Sequence, residues 1–117
     1  MSPLAGIEFE TVGGVVVARL EGEVDMSNAS ELGAAITARM PSDARGLVLD
    51  LGAVGYVDSA GIHVLFELRE RLTRRGQQIR IALAADSPVA TALEYAGVRG
   101  TLGVAATVRE AIEDLEG

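Results

Sequence analysis

The stretch LVLDLGAVGYVDSAG, residues 47–61, decides the fold. It begins within a nearly continuous apolar run, residues 46–51, which is typical of a strand buried on both faces of a sheet. A short loop is expected next, and Asp58 and Ser59 then lead into a helix predicted over about residues 60–75. A buried strand followed by a helix favours an α/β fold, in which function usually lies at the carboxyl ends of the strands.

The residues before this stretch predict a hairpin and a first helix. Two β-rich runs, residues 7–12 and 15–20, are separated by Gly-Gly, which adopts the positive φ of a tight turn without strain. A helix is expected over about residues 28–40, because Asn28 and Glu31 have the spacing of a capping box and a proline follows. The chain therefore opens with two antiparallel strands and a helix.

The residues after the stretch predict further alternation of strands and helices, and strands joined through helices must be parallel. We expect an α/β fold with a mixed sheet of four to five strands and about four helices, with the opening hairpin at one edge. The remaining predicted elements are a strand at 79–84, a helix opened by Ser87-Pro88 and ended by Gly97, a short strand near Thr101-Leu102, and a last helix with a Thr107–Glu110 capping box.

Bulk properties narrow the classes of function. The chain has 117 residues, and we expect residues 1–117 to form one domain with a core over about residues 7–116. The net charge of −7 disfavours direct binding to nucleic acid. There is no cysteine, no apolar run long enough to cross a membrane and no basic-then-apolar N-terminal pattern, so we expect a cytoplasmic protein without disulfides. A single histidine predicts no metal site, and no cofactor is expected.

The start of the second predicted helix is the place where chemistry is most expected. Local chemistry alone favours a simple helix cap by Asp58 or Ser59. Two features favour more than a cap: Ile62 stands where a capping box needs Glu or Gln, and the small residues that follow Ser59 leave it open to a partner. A hydrolase built on Ser59 and His63 is disfavoured, because the first glycine of a nucleophile elbow is replaced by Val57.

Two motifs resemble a known family. The segment Asp58-Ser59-Ala60-Gly61 resembles the D-S-[S/T/A]-G motif of bacterial anti-sigma-factor antagonists with the STAS fold, and LEGEVD, residues 20–25, resembles that family's L-x-G-E-[L/V]-D segment. Element order and length agree from about residue 7 to residue 116.

The resemblance implies a switch protein rather than an enzyme. Ser59 matches the serine that is phosphorylated in these antagonists, and Asp25 matches a residue beside it at the partner surface. In the family, the unphosphorylated antagonist binds an anti-sigma factor that is also a serine kinase and so frees a sigma factor. Phosphorylation by that kinase releases the antagonist, and a PPM-type phosphatase resets it. The partner-binding residues that this implies are Asp25, Asp58, Ser59, Ala60, Gly61, Ile62, His63 and Phe66.

Two departures from the family pattern bear on the choice of partner. Many members have Ser or Thr where this chain has Ala60, and Gly-Leu-Gly where it has Gly61-Ile62-His63. A module of the same fold without a switch is the alternative: a scaffold in a stress complex, or a cytoplasmic accessory subunit of a transporter. Retention of Ser59 together with Asp25 favours the phosphorylated type.

Overall fold

In the computed structural model, which describes residues 6–116, the buried strand lies at the centre of a five-stranded sheet of order β1-β2-β3-β4-β5. β1 is antiparallel to β2, and β2, β3, β4 and β5 are mutually parallel, so the α/β fold with a mixed sheet is confirmed. The strands are β1 (Gly6–Val12), β2 (Val15–Val24), β3 (Gly46–Val57), β4 (Gln78–Ala82) and β5 (Val104–Ala105). The helices are α1 (Ala29–Ala38), α2 (Ser59–Arg74), α3 (Pro88–Tyr95), α4 (Val98–Leu102) and α5 (Val108–Glu116).

The two faces of the sheet are covered unequally. Helices α1 to α4 pack on one face and contribute to the larger apolar cluster, which includes Leu49 and Ile81 of the central strands. On the other face α5 buries Ala111 and Leu115 in a smaller cluster. Beyond that cluster, Arg19 of β2 is paired with Glu10 at 2.8 Å and with Asp50 at 3.2 Å. The hydrogen bond and charge of Glu10, reinforced by Asp50, raise the pKa of the Arg19 guanidinium.

The central strand β3 is longer than the sequence predicts. It continues to Val57 instead of ending at residue 51, so the expected loop at 52–57 is wrong. The added residues pair with the end of β2 across two register shifts, one between Arg19 and Glu21 and one between Gly22 and Glu23. Pairing with a neighbouring strand therefore overrides the low strand propensity of the glycines in this segment.

The strand expected at Thr101-Leu102 is also misplaced. Both residues lie in the short helix α4, and the strand is instead Val104–Ala105, which pairs with the end of β4. Gly103 separates the two elements with a φ of 76°, a conformation that favours glycine.

Most of the helix caps that the sequence predicts are present in the structure. Ser87 caps α3 through the N–H of Val89, and Gly76 follows α2 with a φ of 73°. The Thr107 hydroxyl accepts from the N–H of Glu110, although the Glu110 carboxylate accepts from Ala106 rather than from Thr107 itself. The capping box at Asn28 is wrong, because the Asn28 side chain makes no capping hydrogen bond to α1.

Asn28 is instead a buried support for the turn between β2 and α1. Its side-chain oxygen accepts from the N–H of Asp25 at 3.0 Å, and its amide group donates to the carbonyl of Glu23 at 2.8 Å. The residue is only 1% exposed, so both of these backbone groups depend on it for a hydrogen bond. No helix between residues 6 and 116 is long and apolar enough to cross a membrane.

Candidate functional site at the start of α2

Asp58 joins three elements at the start of α2. It is the N-cap of the helix: its Oδ1 accepts from the N–H of Gly61 at 3.0 Å. Its Oδ2 accepts from the N–H of Met26, in the turn after β2, at 3.1 Å. Its own N–H donates to the carbonyl of Val24 at 3.1 Å. One side chain therefore fixes the helix start against the end of β2 and the turn that follows it.

Ser59 is the first residue of α2, and it is exposed. Of the two helix caps that local chemistry left open, Asp58 takes the role. Within the described residues 6–116, the Ser59 hydroxyl makes no hydrogen bond. The hydroxyl is therefore accessible and has no structural task in the fold.

Gly61 permits a close approach of the helix to the sheet. A Cβ added there would lie 2.8 Å from Cγ1 of Val57 and 3.0 Å from both Cγ1 and the carbonyl oxygen of Val24. These distances are shorter than ordinary van der Waals contacts, so only glycine fits without movement of the helix or the strands. Ala60, beside it, is half-buried against the larger apolar cluster.

Asp25 lies in the turn that Asp58 holds. Both the side chain and the backbone carbonyl of Asp25 accept hydrogen bonds within the turn. Its Oδ1 accepts from the N–H and hydroxyl of Ser27, and its carbonyl accepts from the N–H groups of Asn28 and Ala29. Because Met26, the next residue, donates to Asp58, the turn is anchored to the start of α2. The structure thus brings together the two segments that the sequence motifs single out.

The remaining predicted site residues lie along α2. Ile62 and Phe66 are half-buried and pack against the larger apolar cluster, while His63 is exposed. His63 Nε2 lies 3.7 Å from Oε1 of Glu67, one turn further along the helix, and both side chains are exposed. Helical spacing in the sequence predicts that one face of α2 packs on the sheet, and the structure buries that face: Gly61, Val64, Leu65, Leu68 and Leu72.

Sequence reasoning missed two large exposed side chains at this end of the sheet. Met26 is 82% exposed, and Tyr56, two residues before Asp58, is 51% exposed. The sequence does offer a sign of Met26, because it is an apolar residue in an otherwise polar turn. Tyr56 could not be placed, because the segment that carries it was predicted as a loop. We define the α2 start surface as Met26, Asp58, Ser59 and Ile62.

Asp58, Ser59 and His63 are not arranged as a catalytic triad. Both carboxylate oxygens of Asp58 accept backbone N–H groups, and His63 has Glu67 as its neighbour, so these residues do not assemble into a nucleophile, a base and an orienting acid. Among residues 6–116 there is also no group of three or more His, Asp or Glu side chains that could hold a metal ion. At the helix N-terminus, the surface offers the exposed hydroxyl of Ser59, the carboxylate of Asp58 and the apolar side chains of Met26 and Ile62.

Comparison with known proteins agrees with this description. The chain is an α/β domain with a five-stranded mixed sheet and a serine at the start of its second helix. Residues 6–111 match the STAS domain family, and the chain belongs to that family.

Three similar proteins are anti-sigma-factor antagonists by name. The anti-sigma-F factor antagonist RsfB of Mycobacterium tuberculosis is 28% identical over 105 residues, which span 89% of this chain and 84% of RsfB. The putative anti-sigma factor antagonist BtrV of Bordetella bronchiseptica is 33% identical over 66 residues, and this match spans 56% of the chain and 57% of BtrV. The crystal structure of an anti-sigma factor antagonist from Mycobacterium paratuberculosis superimposes with a TM-score of 0.85 at 25% identity, covering 97% of this chain and 95% of that one.

Proposed function

We propose that this chain is an anti-sigma-factor antagonist whose binding to a serine-kinase anti-sigma factor is switched off by phosphorylation of Ser59. The observation that carries the proposal is the state of Ser59: it is exposed at the first position of α2, its hydroxyl is free of hydrogen bonds within residues 6–116, and Asp58 alone caps the helix. A kinase can therefore reach the hydroxyl without opening the fold.

Similarity to named antagonists supports the partner class. RsfB and the Mycobacterium paratuberculosis protein align over most of the chain, and both are described as antagonists of anti-sigma factors. The α2 start surface supports the same class, because the exposed side chain of Met26 supplies apolar area that a protein partner would bury. A PPM-type serine phosphatase is the second proposed partner, since a switch of this kind needs a reset.

The fold should tolerate a phosphate at Ser59. A phosphoserine carries about −1.5 to −2 charges at pH 7. The N-terminus of α2 offsets this by roughly 0.3–1 kcal/mol, whereas the carboxylates of Asp58 and Asp25 oppose it. Because the Ser59 hydroxyl has no hydrogen bond to break within residues 6–116, the change is felt mainly at the surface.

The same phosphate would weaken a complex strongly. Burying an unpaired charge at an interface costs about 2–5 kcal/mol. At about 1.4 kcal/mol per tenfold change, the partner would bind roughly 30- to 4000-fold less tightly. This is enough for a switch without a large conformational change.

The test uses kinase-type anti-sigma factors from the source genome. Each is incubated with the chain and ATP, and the intact mass is measured. One added phosphate is expected, and it should be absent in Ser59→Ala but present in Ser30→Ala, a matched exposed serine on α1. Ser59→Asp should bind the same partner at least 30-fold more weakly than the unmodified chain.

Two results would contradict the proposal. One is a phosphate that persists in Ser59→Ala. The other is a Ser59→Asp variant that binds the partner as tightly as the unmodified chain. A chain that binds no kinase-type anti-sigma factor would favour the alternative of a scaffold or transporter module.

A further inference from the structure

The first strand of the sheet has a free edge. β1 pairs with β2 on one side, and no described residue forms a backbone hydrogen bond with it on the other side. Val12 and Val15 flank the two-residue Gly-Gly turn, so they exchange both of their backbone hydrogen bonds. Bonded and non-bonded pairs alternate along an antiparallel ladder, so the N–H and C=O groups of Ile7, Phe9 and Thr11 point away from β2. Such an edge is a template for pairing with another chain.

The free edge carries negative charge on one face of the sheet. Glu8 and Glu10 lie opposite Arg19 and Val17 of β2, on the face that α5 covers. The guanidinium of Arg19 is bound by Glu10 and by Asp50 of β3. Glu8 forms no salt bridge with any residue between 6 and 116, so its carboxylate is available to a cation that approaches the edge.

The same charges disfavour a second copy of this chain on the edge. In an antiparallel pair of two β1 strands centred on Phe9, Glu8 of each copy lies opposite Glu10 of the other. Centring the pair on Glu8 or on Glu10 places that glutamate opposite its own copy. Like charges directly opposite each other destabilise a pair of strands. The edge therefore selects a partner strand that carries positive charge.

An apolar groove lies at one end of this edge. It has a volume of about 330 Å³ and runs between Val12 and α5, on the same face of the sheet as Glu8. Its apolar walls are Val12, Val108 and Ile112. Val12 is 40% exposed and the two α5 side chains are half-buried, so an apolar side chain placed beside Val12 would remove further area of all three from water.

A cleft with acidic walls lies at the other end of the edge. It has a volume of about 230 Å³, and its charged residues are Glu8, Arg19 and Glu21. Arg19 is already bound by two carboxylates, whereas neither Glu8 nor Glu21 forms a salt bridge with any described residue. The cleft therefore favours a basic side chain.

We infer that the free edge of β1 binds an extended segment of a partner protein as an added antiparallel strand, with an apolar side chain beside Val12 and a basic side chain four residues later beside Glu8. In this mode of recognition main-chain hydrogen bonds supply affinity, and pockets for alternate side chains supply specificity. Val12 and Glu8 lie on one face, about 13 Å apart along the strand. The site includes no residue of the α2 start surface, so it is independent of Ser59 and of the anti-sigma factor proposed above.

Hydrogen exchange on the isotope-labelled full chain tests the edge itself. Without a ligand, the amides of Ile7, Phe9 and Thr11 should exchange quickly, whereas the amides of Glu8 and Glu10, which bond to β2, should be protected. Saturable binding of the capped peptide Leu-Thr-Thr-Val-Arg-Val should then protect the three edge amides. This peptide is designed to place its leucine at the apolar groove and its arginine at the acidic cleft.

An isomeric peptide tests the spacing with no change in composition or charge. Leu-Thr-Thr-Arg-Val-Val places its arginine on the other face of the sheet, beside Phe9. The guanidinium of Arg39 already lies 4.4 Å from the centre of that ring, so a second cation is repelled there. The isomer should bind about fivefold more weakly than the designed peptide.

Variants of the chain test the backbone and the charge separately. Thr11→Pro removes an edge N–H and leaves the bonds to β2 in place, so it should weaken binding about tenfold, whereas Thr11→Val, the matched control, keeps that N–H and the affinity. Glu8→Arg should weaken binding of the arginine peptide about fivefold and favour the matched peptide Leu-Thr-Thr-Val-Glu-Val. Ser59→Asp should bind the peptide as tightly as the unmodified chain does, which separates this site from the proposed switch.

Four results would overturn the proposal. The first is protection of the edge amides in the free chain, or a dimer in solution, because either would show that this chain covers its own edge. The second is the absence of saturable peptide binding. The others are equal binding of the arginine and glutamate peptides, and equal binding by Thr11→Pro and Thr11→Val. A folding defect in Thr11→Pro would be visible as lost signal dispersion, and Glu8→Arg, at an exposed position, then decides the test.

Discussion

Replacing Asp58 with alanine should destabilise the fold much more than replacing Ser59, its neighbour. The change removes the cap of α2, which accepts from Gly61 at 3.0 Å, and the hydrogen bond from Met26 at 3.1 Å. Loss of an N-cap costs about 1 kcal/mol, and a second hydrogen bond contributes about 1 kcal/mol more. We therefore expect Asp58→Ala to lower the free energy of unfolding by about 2 kcal/mol. At about 4 °C per kcal/mol, Tm should fall by about 8 °C.

An asparagine variant separates the two hydrogen bonds. Asn is as good an N-cap as Asp, but its amide has only one acceptor oxygen. Asp58→Asn should therefore keep the bond from Gly61, lose the bond from Met26 and cost about 1 kcal/mol, half the effect of alanine. Ser59→Ala is the control and should stay within about 0.5 kcal/mol of the wild type, because its hydroxyl makes no hydrogen bond within residues 6–116.

Urea unfolding followed by far-UV circular dichroism gives these free energies, and hydrogen exchange reports the two amides directly. The Gly61 amide should exchange faster in Asp58→Ala, and the Met26 amide should exchange faster in both Asp58 variants. The reasoning is refuted if Asp58→Ala lies within about 0.5 kcal/mol of the wild type. It is equally refuted if Ser59→Ala costs as much as Asp58→Ala.

Two further predictions concern packing and buried polarity near the same site. Gly61→Ala should lower stability by about 1 kcal/mol, because overpacking against β2 and β3 exceeds the gain in helix propensity. Gly100→Ala, whose Cβ meets nothing within 4 Å, should raise stability by about 0.5–1 kcal/mol, so the two urea midpoints should move in opposite directions. Asn28→Ala should cost about 2–3 kcal/mol, since it leaves the carbonyl of Glu23 and the N–H of Asp25 without their partner. A loss below about 1 kcal/mol in thermal or urea unfolding would show that water replaces Asn28 there.

The parts of the fold that were predictable are those in which local pattern and tertiary packing agree. The spacing of Val64, Leu65, Leu68 and Leu72 predicts one face of α2, and that face is the one buried on the sheet. The hairpin was equally predictable, because Gly-Gly between two β-rich runs favours a tight turn that pairs the two strands.

The errors arose where a distant partner decides the local structure. The segment after residue 51 reads as a loop, but it becomes strand because the end of β2 supplies hydrogen-bond partners for it. Asn28 has the spacing of a helix cap, yet its side chain bonds backwards to Glu23 and Asp25. Neither outcome is encoded in the neighbouring residues.

The candidate site was only partly predictable, because contacts between distant residues also decide its geometry. The motifs around Asp25 and Ser59 named the right two segments, but only the fold shows that Asp58 links them through Met26.

The separation of roles between Asp58 and Ser59 has a consequence for turnover in the cell. Proteases act mainly on opened molecules, so degradation follows the free energy of unfolding. Since the helix start is held by Asp58, phosphorylation of Ser59 should change that free energy little. Modified and unmodified molecules would then be degraded at the same rate. If Ser59 is the switch that we propose, the ratio of the two forms would then not be distorted by selective loss of either form.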